Sequence, residues 1–246
     1  MNKINKHGLS RYIPSQIKKQ IRQECGFGCV CCGGAIVTYE HIDPEFKDAT
    51  EHDPKRMALL CGACHDKVTR GIWSKDKIKS ARSNPITFKR GFSKDAFDIS
   101  NPFVLHLGAN SFQDVRTIVQ TQEGEQWLFI DPPETYGAPY RLSGKFYDLS
   151  GNLILHIDEN EWICHLKDVW DLEITGRQIC VRSAQNGVVL LLETEPPHGL
   201  RLKKLKMSQG TIGVEIDGDE LSIQKAGFKF SMIGNSFTNV HTIVSI

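Results

Sequence analysis

Apolar positions near the start of the chain repeat with the spacing of a helix. Ile17 and Ile21 stand four residues apart among basic residues, shortly after Pro14, so the pattern predicts a helix over residues 15–24. A β-branched and aromatic run over residues 35–41 then predicts a short strand.

The next apolar positions are confined to short segments. Residues 57–60 form an apolar run, residues 64–70 predict a helix that Gly71 closes, and residues 74–82 predict a basic helix with Ser74 as its N-cap. A strand, a polar loop, a second strand and a helix in this order predict a compact ββα unit.

From residue 103 onward, apolar and polar residues alternate in short segments separated by turn-forming pairs such as Asn186-Gly187. The predicted strands cover residues 103–107, 115–119, 126–130, 144–148, 152–157, 178–182, 187–193, 200–205, 211–216, 220–224 and 227–232. We predict no helix there. Residues 103–246 are therefore expected to form an all-β domain, either a sandwich or, alternatively, a β-solenoid.

This β region contains a repeat. Eight residues recur at a constant offset of 125 positions, at the two ends of the region. They are Phe103, Asn110, Ser111, Phe112, Val115, Thr117, Ile118 and Val119, which return as Phe228, Asn235, Ser236, Phe237, Val240, Thr242, Ile243 and Val244. The repeat predicts two equivalent structural corners, in a pseudo-symmetric sandwich or as rungs of a solenoid.

The helix-containing first part of the chain and the strand-rich second part meet in a segment that contains helix and strand breakers. Residues 84–102 hold two prolines and one glycine. The sequence therefore predicts an α+β protein with two domains, one over residues 1–95 and an all-β one over residues 103–246.

Charge is distributed unevenly between these parts. Residues 1–94 carry 18 Lys and Arg against 9 Asp and Glu, or +9, whereas residues 95–246 carry 12 against 20, or −8. A basic part beside an acidic part is typical of two domains with different partners.

The chain shows no targeting or membrane signal. No segment approaches the roughly 20 apolar residues of a membrane helix, and the polar start of the chain lacks the apolar core of a signal peptide. We therefore expect a cytoplasmic protein without a membrane partner, whose thiols stay reduced. Six of the eight cysteines lie between Cys25 and Cys64, and this crowding favours a metal over disulfides.

The cysteine spacing is that of a structural zinc site. Cys29 and Cys32 form one Cys-x-x-Cys pair, and Cys61 and Cys64 form a second pair after 28 intervening residues. Four thiolates in this arrangement suit one tetrahedral Zn²⁺. Cys31 is adjacent, but its separation from Cys29 is shorter than the usual chelate loop.

Two further features lie among these cysteines: the pair Glu40-His41, and His65 directly after the last cysteine. In this order the motifs resemble the HNH endonuclease family, whose core is the ββα-metal (His-Me) finger. The resemblance covers about residues 11–83. It implies a metal-dependent nuclease acting on nucleic acid, with DNA as the expected substrate, and a bacterial setting such as restriction, mobile elements or phage defence.

The resemblance also implies a role for each residue. His41 matches the general base that takes a proton from the attacking water, and the ordinary imidazole pKa near 6.5 suits this role. Glu40 and His65 match the protein ligands of a divalent ion at the scissile phosphate. Water and phosphate oxygens would complete its shell, which favours Mg²⁺ or Mn²⁺, and the histidine ligand also admits Ni²⁺ or Zn²⁺.

Two positions depart from the family pattern. The acid before the base is Glu40, where the family more often has Asp or His, and this longer side chain must still reach the metal. The family's middle Asn, five residues before the third cysteine, is Arg56 here. Arginine cannot accept a hydrogen bond, so it can hold the loop or a phosphate only as a donor. We predict nucleic-acid contacts for Arg56, Lys67 and Arg70, with a solvated helix face as the alternative for the last two.

The remaining candidates have simpler interpretations. His52 is expected to be a solvated loop residue, with a contact to metal or substrate as the alternative. Trp162 and Trp170 are expected in the core of the β domain, as are Cys164 and Cys180. The histidines of that domain show no ligand spacing.

Three functions are compatible with these patterns. The first, which we predict, is an endonuclease whose basic part binds the phosphate backbone. The second is a non-catalytic zinc module that binds nucleic acid. The third is an interaction protein whose acidic β domain binds a protein partner or a second copy of the chain.

Overall fold

The structure is a computed structural model that describes residues 4–120 and 126–245. It is a mixed α+β fold with far more strand than helix. The chain divides into two compact units: Met1–Asp95 with Asp171–Glu173, and Ala96–Trp170 with Ile174–Ile246. Within the described ranges, no helix has the length and apolar character needed to cross a membrane.

The first unit contains a short antiparallel strand pair with helices around it. Its elements in chain order are α1 (Ser15–Glu24), β1 (Thr38–His41), a 3-10 turn (Pro54–Arg56), β2 (Met57–Leu60), α2 (Gly62–Thr69), α3 (Lys75–Ser83), α4 (Ile86–Arg90) and β3 (Phe92–Ala96). β1 and β2 pair from Thr38 opposite Leu60 to His41 opposite Met57. The strand pair followed by α2 is the ββα order that the sequence predicts.

The core of this unit surrounds β2, whose residues are all buried. Its other buried members include Ile21 of α1, Val30 of the first cysteine loop and Ile78 of α3. Arg82 of α3 donates hydrogen bonds to the carbonyl oxygens of Met57, at 2.8 Å, and Glu24, at 3.2 Å. One side chain therefore joins α3 to the start of β2 and the end of α1.

The second unit consists almost entirely of strands. In chain order they are β4 (Val104–Leu107), β5 (Asn110–Gln113), β6 (Thr117–Gln120), β7 (Gln126–Asp131), β8 (Arg141–Tyr147), β9 (Leu153–Asp158), β10 (Glu161–His165), β11 (Asp171–Thr175, shared with the first unit), β12 (Gln178–Ser183), β13 (Gly187–Glu195), β14 (Gly199–Gln209), β15 (Ile212–Asp217), β16 (Glu220–Lys225), β17 (Phe228–Ile233), β18 (Ser236–Thr238) and β19 (Thr242–Ser245). The described residues of this unit contain one helical turn, the 3-10 turn Leu166–Asp168.

These strands form two sheets that are mostly antiparallel. One sheet follows the order β19–β6–β7–β8–β9–β10, and the other follows β12–β13–β14–β15–β16–β17. β4 joins β14 to β5, and β5 in turn pairs with β18. Three pairs are parallel: β4 with β14, β18 with β5, and β19 with β6.

The two copies of the repeat lie directly on one another in these parallel pairs. We call residues 110–120 the first rung and residues 235–245 the second rung. Residues of the second rung pair with their own equivalents in the first: Ser236 with Ser111, Phe237 with Phe112, Thr242 with Thr117 and Val244 with Val119. The two predicted corners are therefore adjacent in space, with equivalent residues paired in register.

The predicted boundary segment, residues 84–102, contains the division between the two units at Asp95 and Ala96, and it also carries regular structure, α4 and β3, with Pro85 as the N-cap of α4 and Gly91, at φ +80°, as its C-cap. One detail of the sequence interpretation is wrong. Trp170 is 40% exposed rather than part of the core, whereas Trp162, Cys164 and Cys180 are buried as predicted.

Candidate metal centre and neighbouring polar cluster

The four cysteines of the two Cys-x-x-Cys pairs converge at one point. The Sγ atoms of Cys29, Cys32, Cys61 and Cys64 all lie within 4.8 Å of one another. Ligands of a tetrahedral ion at about 2.3 Å stand roughly 3.8 Å apart, so this cluster is close enough to hold a metal ion. Cys31, the alternative ligand, lies outside the group.

Backbone hydrogen bonds shape the first cysteine loop. The amide of Cys29 donates to the carbonyl oxygen of Gly34, and the amide of Gly33 donates back to that of Cys29, both at 2.8 Å. Gly33 has φ +85°, a left-handed conformation that glycine adopts without strain. This tight turn brings Cys32 back toward the thiol of Cys29.

The second loop is shaped by the start of α2. Cys61 is the N-cap of this helix, and its sulfur accepts a hydrogen bond from the amide of Cys64 at 3.5 Å. The positive end of the helix dipole therefore faces the thiols and favours their ionised form.

Negative charge is shared unequally among the thiols. Hydrogen bonds from Cys31 and Cys32 hold the pKa of Cys29 well below its usual range, whereas burial raises the pKa of Cys64 to about 12. One thiolate is thus stabilised by its neighbours, and a bound cation would favour ionisation of all four ligands.

A second group of polar side chains lies at the other end of the strand pair. The Oε2 atom of Glu40, on β1, lies 3.1 Å from the Nε2 atom of His65, on α2. The other carboxylate oxygen of Glu40 accepts a hydrogen bond from the ammonium group of Lys75 at 3.2 Å. Glu40 is only partly exposed, with 24% of its side chain accessible.

His41 follows Glu40 but belongs to a different contact network. It is buried, and its Nε2 atom lies 3.1 Å from the Nδ1 atom of His52. The Nε2 atom of His52 lies 2.9 Å from the carbonyl oxygen of Ser10. The expectation of a solvated His52 is therefore wrong, because its loop folds back under β1 and buries the ring.

The Ser10 contact determines which nitrogen atoms carry protons. A carbonyl oxygen only accepts, so Nε2 of a neutral His52 is the donor and its Nδ1 is an acceptor. The Nε2 atom of His41 must then donate to His52. The Nδ1 atom of a neutral His41 is consequently left without a proton, able to accept one.

The surroundings of His41 keep this ring neutral. Burial lowers its pKa, and the neighbouring His52 lowers it further, while Glu40 acts in the opposite direction. The charges of Arg11 and Lys75 also lower this pKa, which places these cations within electrostatic range of the ring. His41 is therefore predominantly neutral at physiological pH.

The predicted nucleic-acid contacts lie on exposed parts of the first unit. Arg56 has a side chain that is 63% accessible and lies 3.6 Å from a carboxylate oxygen of Asp53. Arg70 forms an exposed salt bridge with Asp66 at 2.9 Å. The Nζ atom of Lys67 lies over the ring of Trp73, 4.7 Å from its centroid.

Sequence reasoning missed one member of this site, Lys75, and did not predict the burial of another, His52. Lys75 was recognised only as one of several basic residues of α3, and its contact with Glu40 depends on how that helix packs. His52 belongs to a polar loop with turn-forming residues, and no periodic pattern indicates that its ring turns inward.

Comparisons of the chain with protein-family models, curated proteins and solved structures found no match.

Proposed function

We propose that the chain is a metal-dependent endonuclease that hydrolyses phosphodiester bonds in nucleic acid, with DNA as the substrate. The observation that carries this proposal is the 3.1 Å contact between Glu40 and His65, beside the buried base His41. A carboxylate and an imidazole on neighbouring elements, with a neutral histidine next to them, are the protein groups that hydrolysis at a metal-bound phosphate requires.

The donor pair fits a small divalent cation. Neighbouring ligands of an octahedral ion at about 2.1 Å lie roughly 3 Å apart, close to the separation of Glu40 Oε2 and His65 Nε2. These two residues would hold Mg²⁺ or Mn²⁺, with water and phosphate oxygens as the other ligands. The bound ion would supply Lewis-acid stabilisation of the negative charge that develops on the phosphate.

His41 would accept the proton of the attacking water at Nδ1. The contact with His52 leaves that atom free of a proton in the neutral ring and restricts rotation of the imidazole. Lys75, which contacts Glu40, would contribute a positive charge beside the phosphate. Arg56, Lys67 and Arg70 would bind the phosphate backbone on either side without reading bases.

Backbone hydrogen bonds hold the loop that follows the base. The amide of Ile42 donates to the carbonyl oxygen of Arg56 at 2.9 Å, and the amide of Arg56 donates to that of Asp53 at 3.0 Å. Backbone bonds and the ring of His52 thus fasten this loop where the family uses an asparagine. This supports retention of activity despite the substitution.

In this proposal the four cysteines bind structural Zn²⁺ and make the first unit a zinc-stabilised ββα finger. Cys29 and Cys32 precede β1, whereas Cys61 and Cys64 follow β2. One ion would therefore hold together the chain segments that enter and leave the hairpin. Glu40 and His41 lie on that hairpin, and His65 lies directly after Cys64 on α2. The zinc would therefore set the separation between the two ligands of the catalytic ion.

Cleavage of supercoiled plasmid DNA by the purified full chain tests the proposal. We expect cleavage with Mg²⁺ or Mn²⁺, none with a chelator, and a loss of about 100-fold or more in His41→Ala. His7→Ala, which changes an exposed histidine of the same unit, should cleave like wild type. Cleavage by His41→Ala at the wild-type rate would show that the proposed base is wrong.

One contact favours a second candidate, a non-catalytic zinc module that binds nucleic acid. The ammonium group of Lys75 already compensates the charge of Glu40, so the carboxylate is satisfied without an ion. This function requires DNA binding without cleavage under any divalent ion, and an unchanged affinity in His41→Ala. Measuring binding by fluorescence anisotropy beside the cleavage assay separates the two candidates.

A further inference from the structure

The second rung and the strand before it expose residues whose equivalents the first copy of the repeat buries. Phe103 and Leu105 are 2% and 0% exposed, whereas Phe228 and Phe230, at the same positions of the repeat, are 83% and 52% exposed. Ile233 in the same strand is 62% exposed. Phe228 and Phe230, two positions apart, share one face of this strand, and exposed large apolar side chains side by side commonly mark an interaction surface.

The difference arises because the first copy is covered and the second is not. The second rung covers the first rung, and β14 lies along β4. Among the described residues, β18 pairs only with β5, and β19 and β17 are each the last strand at one edge of their sheet. These three strands therefore present unpaired edges, which readily accept a further strand.

The contacts between the rungs show what such an edge recognises. The hydroxyl oxygens of Ser111 and Ser236 lie 2.9 Å apart, and the rings of Phe112 and Phe237 stack at 5.2 Å with 8° between their planes. Each residue lies on an identical one. The first rung is thus covered by a second segment that carries the same repeat residues.

An asparagine ladder adds specificity to this stacking. The side-chain oxygen of Asn110 accepts a hydrogen bond from the backbone amide of Asn235 at 3.1 Å, and its side-chain nitrogen donates to the carbonyl oxygens of Leu107 and Met232, both at 3.1 Å. Asn235 is the equivalent of Asn110 in the second rung, and it is exposed. It would offer the same acceptor to the next rung.

We propose that the outer edge of the second rung is a docking surface for a strand segment of another polypeptide with the same rung pattern, Asn-Ser-Phe-x-x-Val-x-Thr-Ile-Val. The segment lies parallel to β18 and β19 and in register with them, as these strands lie on β5 and β6.

A second copy of this chain does not provide such a segment. Its first rung is already covered by its own second rung, so it offers the same outer edge. Two identical edges related by a twofold axis meet antiparallel, and identical residues then do not stack along the whole rung. The partner is therefore a different polypeptide whose rung strand is unpaired.

The hydrogen bonds between the two rungs show which backbone groups face outward. The carbonyl oxygens of Asn235 and His241 accept from the amides of Ser111, at 2.9 Å, and Thr117, at 2.8 Å, so both point toward the first rung. Backbone groups alternate between the two sides of a parallel strand. The amide of Ile243 consequently points inward, whereas that of Val244 points toward the outer edge.

A synthetic peptide of residues 234–245 is the probe, labelled for fluorescence anisotropy and added to the full chain. We expect saturable binding that a scrambled peptide does not show. N-methylation at the position of Ile243 removes an amide that faces the protein and should abolish binding. N-methylation at the position of Val244 removes an amide that faces away and should leave binding unchanged.

The matching protein variant is Val244→Pro, which removes an outward amide and keeps the inward bonds. We expect it to weaken peptide binding at least about tenfold with little change in thermal stability. If this variant unfolds, Thr238→Pro blocks the same edge on β18. These measurements do not depend on nuclease activity.

Three outcomes would overturn the proposal. In the first, the wild-type chain does not bind the peptide. In the second, the edge variants bind the peptide as well as wild type does, which would mean that the peptide displaces the chain's own second rung. In the third, the wild type is a dimer that Val244→Pro dissociates, which would mean that copies of the chain cover each other's edge.

Discussion

The Nε2 atom of His41 lies 3.1 Å from the Nδ1 atom of His52, and both rings are buried. The second nitrogen of His52 is bonded to the carbonyl oxygen of Ser10, so the pair of contacts assigns a single tautomer to each neutral ring. His52 is thus a positioning residue for the proposed base. It also connects the N-terminal segment to β1.

Two substitutions of His52 separate these roles. An asparagine oxygen can replace Nδ1 as the acceptor for His41, whereas a glutamine nitrogen can replace Nε2 as the donor to Ser10 and leaves His41 without its acceptor. We expect His52→Asn to retain most cleavage activity and His52→Gln to lose about 10–100-fold in single-turnover rate.

Nitrogen NMR of the imidazoles provides a readout independent of cleavage. His41 should carry its proton on Nε2 in wild type and His52→Asn, and exchange between tautomers in His52→Gln. Equal rates and equal tautomers in both variants would contradict the positioning role and leave the proposed nuclease activity unaffected.

Metal binding by the cysteine cluster can be tested with adjacent residues. We expect one zinc per chain by elemental analysis, lost in Cys32→Ser and retained in Cys31→Ser, because Cys31 lies outside the ligand group. Binding of structural zinc contributes about 10–16 kcal/mol in small zinc domains, so its loss should unfold the first unit, visible as loss of α-helical circular dichroism. Stoichiometric zinc in Cys32→Ser would exclude the proposed ligand set.

The asparagine ladder predicts unequal effects at equivalent positions. Asn110 is fully buried, and its amide contacts three backbone groups, whereas Asn235 is exposed. We expect Asn110→Ala to lower the free energy of unfolding by about 2–3 kcal/mol, since it leaves buried polar groups without partners. Asn235→Ala should change it by less than about 0.5 kcal/mol in urea unfolding. Equal losses would refute the buried ladder.

A histidine pair in the second unit predicts acid sensitivity. The Nδ1 atom of His156 lies 2.9 Å from the Nε2 atom of His165, and burial lowers the pKa of both rings, with His156 lowering that of His165 further. The unfolded chain therefore binds protons more readily than the folded one. The stabilisation that the two neutral rings contribute is therefore fully present above about pH 6.5, and it is lost as the pH falls through their lowered pKa values in the folded state. The charged neighbours are Lys145, Asp158, Glu161 and Asp168.

Urea unfolding at about pH 7.5 and pH 5 measures this loss. We expect it to stay below about 1 kcal/mol, because both rings are only partly buried. His165→Phe keeps a ring in place but cannot bind a proton, so it should lose less stability on acidification than wild type. A variant with the same pH dependence as wild type would show that other groups cause it.

Local patterns sufficed for much of the architecture. The helix predicted over residues 15–24 is α1, and Ser74 accepts the predicted capping bond of α3 from the amide of Lys77. The eleven strands predicted from residue 103 onward each overlap a strand of the structure. Periodicity and capping depend on neighbouring residues, so they can be seen in the sequence.

Short strands were harder to predict. β5, β10, β11, β18 and β19 have three to five residues each, and β18 and β19 pair with strands about 125 positions earlier in the chain. Hydrogen bonds to remote strands stabilise them more than their own propensity does.

The sequence by itself determined the cysteine spacing, the Glu40-His41 pair, the position of His65 and the repeat at an offset of 125. Tertiary structure alone decided that His52 buries itself against His41, that Lys75 reaches Glu40, and that the second copy of the repeat lies exposed on the first. Spacing along the chain is a covalent property. Burial and contact depend on which distant segments pack together, and two identical sequences differ when only one of them is covered.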